Sequence, residues 1–119
     1  MEVYSTDETY SQAEANNKFG TIVFERTLQN ANWVAPSGAQ TMYTYTITVN
    51  GLKCGYDGKV PPLINWKDLA TRDEYYKIDY AEATPDDLTT TPMTPGYIVL
   101  YAKEKPVADS INITITDYR

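Results

Sequence analysis

Histidine is absent from the 119 residues, and Cys54 is the only cysteine. The first absence removes the commonest general acid–base, the commonest metal ligand and the side chain that titrates near neutrality. The second excludes an intrachain disulfide, on which small extracellular domains often depend. Together they exclude a zinc cage and a cysteine nucleophile activated by imidazole. Basic residues are few as well: ten against sixteen acids, a net charge of −6, with the lysines scattered. A nucleic-acid backbone needs clustered Lys and Arg, so no nucleic-acid partner is expected. No run approaches the ~20 apolar residues of a membrane-spanning helix. Met1-Glu2-Val3-Tyr4 leads into polar, acidic sequence with no basic start, so neither a secretory leader nor a membrane partner is expected. Gly-x-Ser-x-Gly turns and phosphate-cradling glycine loops are missing too. No cofactor and no enzymatic activity are expected.

What the chain does have is tyrosine, eleven against two phenylalanines. Tyrosine buries a ring but keeps a hydroxyl that needs water or a partner, so this balance points to wide, half-wet sheet faces. The run Met42-Tyr43-Thr44-Tyr45-Thr46-Ile47-Thr48-Val49 places threonine at every second position. Successive side chains of a strand point to opposite faces, so this run has an apolar, aromatic face and a hydroxyl face. Asn50-Gly51 follows, the strongest short hairpin signal, and predicts pairing of strand 41–49 with 52–56. Alternation places Cys54 on the face of Leu52 and Tyr56, as a buried, inert thiol.

Residues 19–28 form another predicted strand, with Ile22, Phe24, Arg26 and Leu28 on one face and cover on both sides in its first half. Prolines 61 and 62 forbid a central strand across 60–70, where Asn65 is placed as the cap of a short helical piece. Residues 72–83 return to strand on the alternation Tyr76, Ile78, Tyr80. Residues 84–95 make a proline- and threonine-rich loop. Residues 97–103 are dense in apolar side chains and read as a central strand. Residues 110–118 read as an edge strand, with Ile111, Ile113 and Ile115 inward and Asn112, Thr114 and Thr116 outward. The total is an all-β antiparallel β-sandwich of about seven strands over 19–119, a small barrel being the alternative. Residues 1–18 read as an extended N-terminal arm, with Val3, Tyr4 and Tyr10 as anchors that order against a neighbour.

Three groups are candidates for chemistry. Asp73, Glu74, Asp79, Glu82, Asp86 and Asp87 crowd one stretch. Paired carboxylates can act as acid and base or hold calcium, with Asp86-Asp87 the first candidates as ligands. Their alternation with tyrosines instead suits a solvated strand face. Trp33 and Trp66, with exposed tyrosines, could stack on sugar rings or plug an end of the fold. The Asn112-Ile113-Thr114 sequon matters only on a secretory route.

The segments SGAQTMYTYTITVNG (37–51) and ADSINITITDYR (108–119) resemble strands of immunoglobulin-like β-sandwich modules found in tailed-phage virion proteins and bacterial surface proteins. The antibody-type Cys…Trp…Cys pattern is absent, and no functional residue carries over. The resemblance implies a non-enzymatic structural protein: an accessory virion component such as a capsid decoration or head or tail accessory protein. Its partners would be the major capsid or another virion protein, with a homo-oligomer as a further option. Val3, Tyr4 and Tyr10 would anchor it, and loop 84–95 would make a second contact. The alternative is a cell-surface adhesion or pilus-like module that binds carbohydrate.

Overall fold

Alternating burial, strand by strand, organises the molecule. The computed structural model describes residues 20–119. Six strands form: β1 (Thr21–Gln29), β2 (Tyr43–Val49), β3 (Leu63–Trp66), β4 (Tyr80–Thr84), β5 (Gly96–Ala102) and β6 (Ser110–Tyr118). They make two three-stranded sheets, ordered β1-β6-β3 and β2-β5-β4, with every ladder antiparallel. The all-β expectation therefore holds, with six strands among the described residues instead of about seven. The arm and its residues Val3, Tyr4 and Tyr10 lie outside the described residues.

The strand that fails to form is 52–56, and the backbone shows why. Cys54 has φ +57, Gly55 +82 and Gly58 +75, left-handed values that no extended strand accommodates. The Asn50-Gly51 hairpin fails with it. Leu52 N–H closes a turn on Val49 C=O at 3.2 Å. Only Gly51, at φ +95, has the positive dihedral; a type II turn requires one there, whereas a type I′ hairpin requires two. β2 instead pairs with β5, from Tyr43 opposite Ala102 to Val49 opposite Gly96.

The two sheets share one core. β6 contributes Ile111, Ile113 and Ile115, β5 Ile98, Leu100 and Ala102, and β2 Tyr45, Ile47 and Val49. Trp33 closes over this cluster edge-on to Tyr45, with ring centres 5.2 Å apart. It is thus a core plug and not a stacking platform. The central placement of β5 is as expected. β6, expected at an edge, is instead the centre of its sheet. Its outward Asn112, Thr114 and Thr116 show only that one face is polar; one-faced alternation carries no information about how many neighbours a strand has. β1 keeps its predicted inward face, but Val23 is 56% exposed, and the described residues give no cover on its other side.

β3 follows Pro61-Pro62 and pairs on one side only, an edge as the prolines require. Asn65 lies inside it and caps no helix. The helical piece comes later: a 3₁₀ turn at Leu69–Thr71 runs into one α-turn, Arg72–Tyr75. Of the strand expected at 72–83, only the part from Tyr80 onward forms, and Arg72–Tyr75 is helical. Tyr75 and Ile78, three apart, both pack on the core. A helical turn brings such a pair to one side, whereas a strand would separate them.

Candidate protein-binding surface

Register fixes the outer face of β2-β5-β4. Thr44, Tyr101 and Tyr80 form one row, Thr46, Val99 and Glu82 the next, and Thr48, Tyr97 and Thr84 the third. The hydroxyl face read from residues 42–49 is thus one column of a mixed tyrosine–threonine surface. Tyr80 and Tyr101 stack, with centroids 4.5 Å apart and planes 16° off parallel. Tyr80 is 50% and Tyr97 40% exposed. Glu82 is the only charged residue in the three rows, although 22% of the chain is charged. The Glu82 carboxylate, as hydrogen-bond partner of the Tyr101 phenol, pushes it up to about 12.

The third row borders the turn after β2 and the loop between β4 and β5, and two carboxylates organise this end. Asp86 accepts from Gly51 N–H at 2.9 Å and from Gly96 N–H at 2.6 Å, joining loop to turn. The wholly buried Asp117 accepts from Lys53 N–H at 2.8 Å and Cys54 N–H at 2.9 Å. Gly96 has no room for a side chain: a Cβ there would lie 2.8 Å from both Leu52 Cβ and Thr84 O. The proline- and threonine-rich loop carries its own bridge, Asp87 to Thr94. Between the segments lies a cleft of about 340 Å³ lined by Leu52, Lys53, Tyr56, Pro85, Asp86 and Leu88. At its rim Tyr56 is fully exposed and Leu88 75% exposed. The expectation that Tyr56 shares the buried face of Leu52 and Cys54 fails, because the left-handed residues turn the chain between them.

The remaining acids do not converge. Glu74 accepts from Val107 and Ala108 N–H and pairs with Lys77 at 2.8 Å, which holds its carboxyl below the usual range. Asp79 accepts from Lys103 N–H at 2.7 Å, and Asp87 from Thr89 N–H at 2.9 Å. Each carboxylate ties down a local loop, and among the described residues no three acidic or cysteine side chains form a metal cage. Trp66 donates to Tyr76 Oη at 3.1 Å, with Arg72 over its ring. Asn112 donates to Asp68 at 2.6 Å and is bound up in the surface of β6.

Asp117 escaped the sequence reading, although it continues the parity of Ile111, Ile113 and Ile115. An acid in phase with a buried run was the available signal. Its charge, with burial as the larger cause, pushes the Cys54 thiol up from 9.0 to about 11. The unfolded thiol ionises first, so this contribution to stability is fully present below pH 9 and fades as pH rises toward 11. Two pKa units correspond to about 2–3 kcal/mol. Cys54→Ala should show a flatter decline in urea midpoint across that window than the parent chain; parallel curves would remove Cys54 as the cause.

Comparison with protein-family models, with curated proteins and with solved structures finds no match for this chain.

Proposed function

We propose that this chain is a non-enzymatic structural protein, an accessory component of a virion, that binds a protein lattice through the tyrosine–threonine face of β2-β5-β4 and the adjoining loop end. The carrying observation is the composition of that face, with three tyrosines and one charge across three rows. Interface centres are depleted in charge and enriched in aromatics. Tyrosine supplies contact area at low entropic cost. Anchoring of the adjoining loops by Asp86 and Asp117 lowers the cost of ordering them on contact. Three strands at ~4.8 Å and five residues at ~3.3 Å give a patch on the order of 200–250 Å². That is well short of the ~800 Å² per partner of a stable pairwise complex. A contact of this size works when many copies bind one surface, where avidity multiplies weak single sites. Loop 84–95, with Leu88 at its tip, extends the contact, and Val3, Tyr4 and Tyr10 remain the proposed anchors of the arm.

An immunoglobulin-like sandwich is the proposed finer fold. Two sheets over one core support it; the strand order, with only β4 and β5 joined as sequence neighbours, departs from the usual hairpin-rich arrangement. The alternative function, a surface module that binds carbohydrate, now rests on Trp66 with exposed tyrosines such as Tyr80 and Tyr97, since Trp33 is buried.

The test is binding of purified chain to particles made by the organism that encodes it, compared with a Tyr80→Ser/Tyr97→Ser variant. The expected loss is about 100-fold, as for two interface anchors, with stability changed by no more than about 1 kcal/mol. Undiminished binding by the variant would remove the face from the contact. No binding by the parent chain, together with no copies in purified particles, would remove the virion reading.

A further inference from the structure

The Asn50-Gly51 pair makes no hairpin, and its chemistry is unused by the proposed lattice contact. Asparagine followed by glycine is open to intramolecular attack, because no Cβ shields the glycine nitrogen. Gly51 N bonds to Asn50 Cγ, the Cγ–Nδ2 bond breaks, and ammonia leaves carrying the proton lost by Gly51 N. The resulting succinimide is opened by water at either carbonyl, giving aspartate or isoaspartate. No oxidant or cofactor is required. Asn50 is exposed, so neither water nor the departing ammonia is obstructed.

The Gly51 peptide, however, is gripped from both sides. Its N–H donates to the Asp86 carboxylate at 2.9 and 3.2 Å. Its C=O accepts from Arg119 Nη1 at 2.9 Å. Arg119 is itself 8% exposed and lies 3.6 Å from the buried Asp117. Next along the chain, Leu52 N–H closes on Val49 C=O, and Leu52 C=O accepts from Asp86 N–H at 2.9 Å. Attack requires the Gly51 nitrogen to shed its proton and the peptide to turn toward the Asn50 side chain. A carboxylate at the N–H opposes a developing negative charge on nitrogen, by like-charge repulsion. Turning the Asn50–Gly51 peptide would break the contact to Asp86, and Arg119 holds the carbonyl that follows it.

We propose that Asn50 is a latent self-modification site, held unreactive in the native fold by Asp86 and Arg119 and released when this corner opens. Modification is then irreversible. Isoaspartate adds one atom to the main chain before Gly51, and either product puts a new carboxylate near Asp86. The Gly51 grip does not re-form in its original geometry, so the modified fraction records how often the corner has opened.

The test follows the mass gain at Asn50 and the isoaspartate content of the intact folded chain at mildly alkaline pH. A synthetic peptide spanning 46–53 serves as the ungripped reference. The folded chain should react at least about tenfold more slowly, equivalent to ~1.4 kcal/mol on the barrier. Asp86→Asn, checked for folding by circular dichroism, should move the rate toward that of the peptide. Equal rates in chain and peptide, or a folded Asp86→Asn variant as slow as the parent, would overturn the proposal. Should that variant not fold, the parent chain in urea below its unfolding transition decides. A rate that rises there supports release by local opening, and one that rises only with global unfolding overturns it.

Discussion

Asp117→Ala is expected to cost the fold about 3–5 kcal/mol, the range for removing one partner of a buried ion pair. A domain of this size has only about 5–15 kcal/mol in total. The side chain is fully buried in line with three core isoleucines. Its two oxygens accept the Lys53 and Cys54 amides, and Arg119 lies 3.6 Å away with 8% exposure. Truncation leaves two amide donors without an acceptor and a mostly buried guanidinium without its counterion. Asp117→Asn keeps the shape and one acceptor oxygen, and should cost less, about 1–3 kcal/mol. Urea unfolding of the three chains measures both. A loss below about 1 kcal/mol for Asp117→Ala would mean that segment 52–55 is ordered by something else.

Ile113→Ala should cost about 2–5 kcal/mol, the range for truncating a fully buried aliphatic side chain. Ile113 has no exposed surface and sits mid-strand, opposite Arg26 of β1 and Trp66 of β3. A void here is flanked by ladders on both sides, so the surroundings have little freedom to collapse into it. At ~4–8 °C per kcal/mol, the melting temperature should fall by about 10 °C or more. Its neighbour Thr114 points to the opposite face, and Thr114→Ala should change stability by no more than about 1 kcal/mol. Equal effects at the two positions would contradict the inward parity of β6.

That parity was legible in the sequence, and so were the isoleucines of β6 and the apolar face of β2. Alternation is a local property and is imposed by burial on one face. Partner choice is not local. Asn50-Gly51 suits a hairpin and a type II turn alike, and what decided between them lies elsewhere: Asp86, which holds Gly51, and residues 52–58, whose glycines turn the chain away. The same holds for β6. Nothing in Ser110–Tyr118 by itself reveals that both β1 and β3 pair with it. At Arg72–Tyr75, the contacts of Tyr75 and Ile78 with the core overrode a weak alternating pattern. The candidate surface was legible in one column, the threonines of β2. Its tyrosine columns depended on pairing with β5 and β4, and so stayed hidden until the register was known.

The strand order also sets a timetable. Synthesis delivers β1, β2, β3 and β4, all four edges, before either centre strand exists. The second sheet can close once β5 has emerged. Among the described residues the first has no ladder until Ser110–Tyr118 arrives, because β1 and β3 pair there only with β6. A nascent chain therefore carries β1 without this partner until residue 110 is made, and non-local pairing of this kind is slow to form. Bare strands invite association with other chains. A ribosome that stalls before residue 110 releases a product in which half the fold has nothing to pair with, so early termination yields a chaperone or protease substrate and never a partly working module.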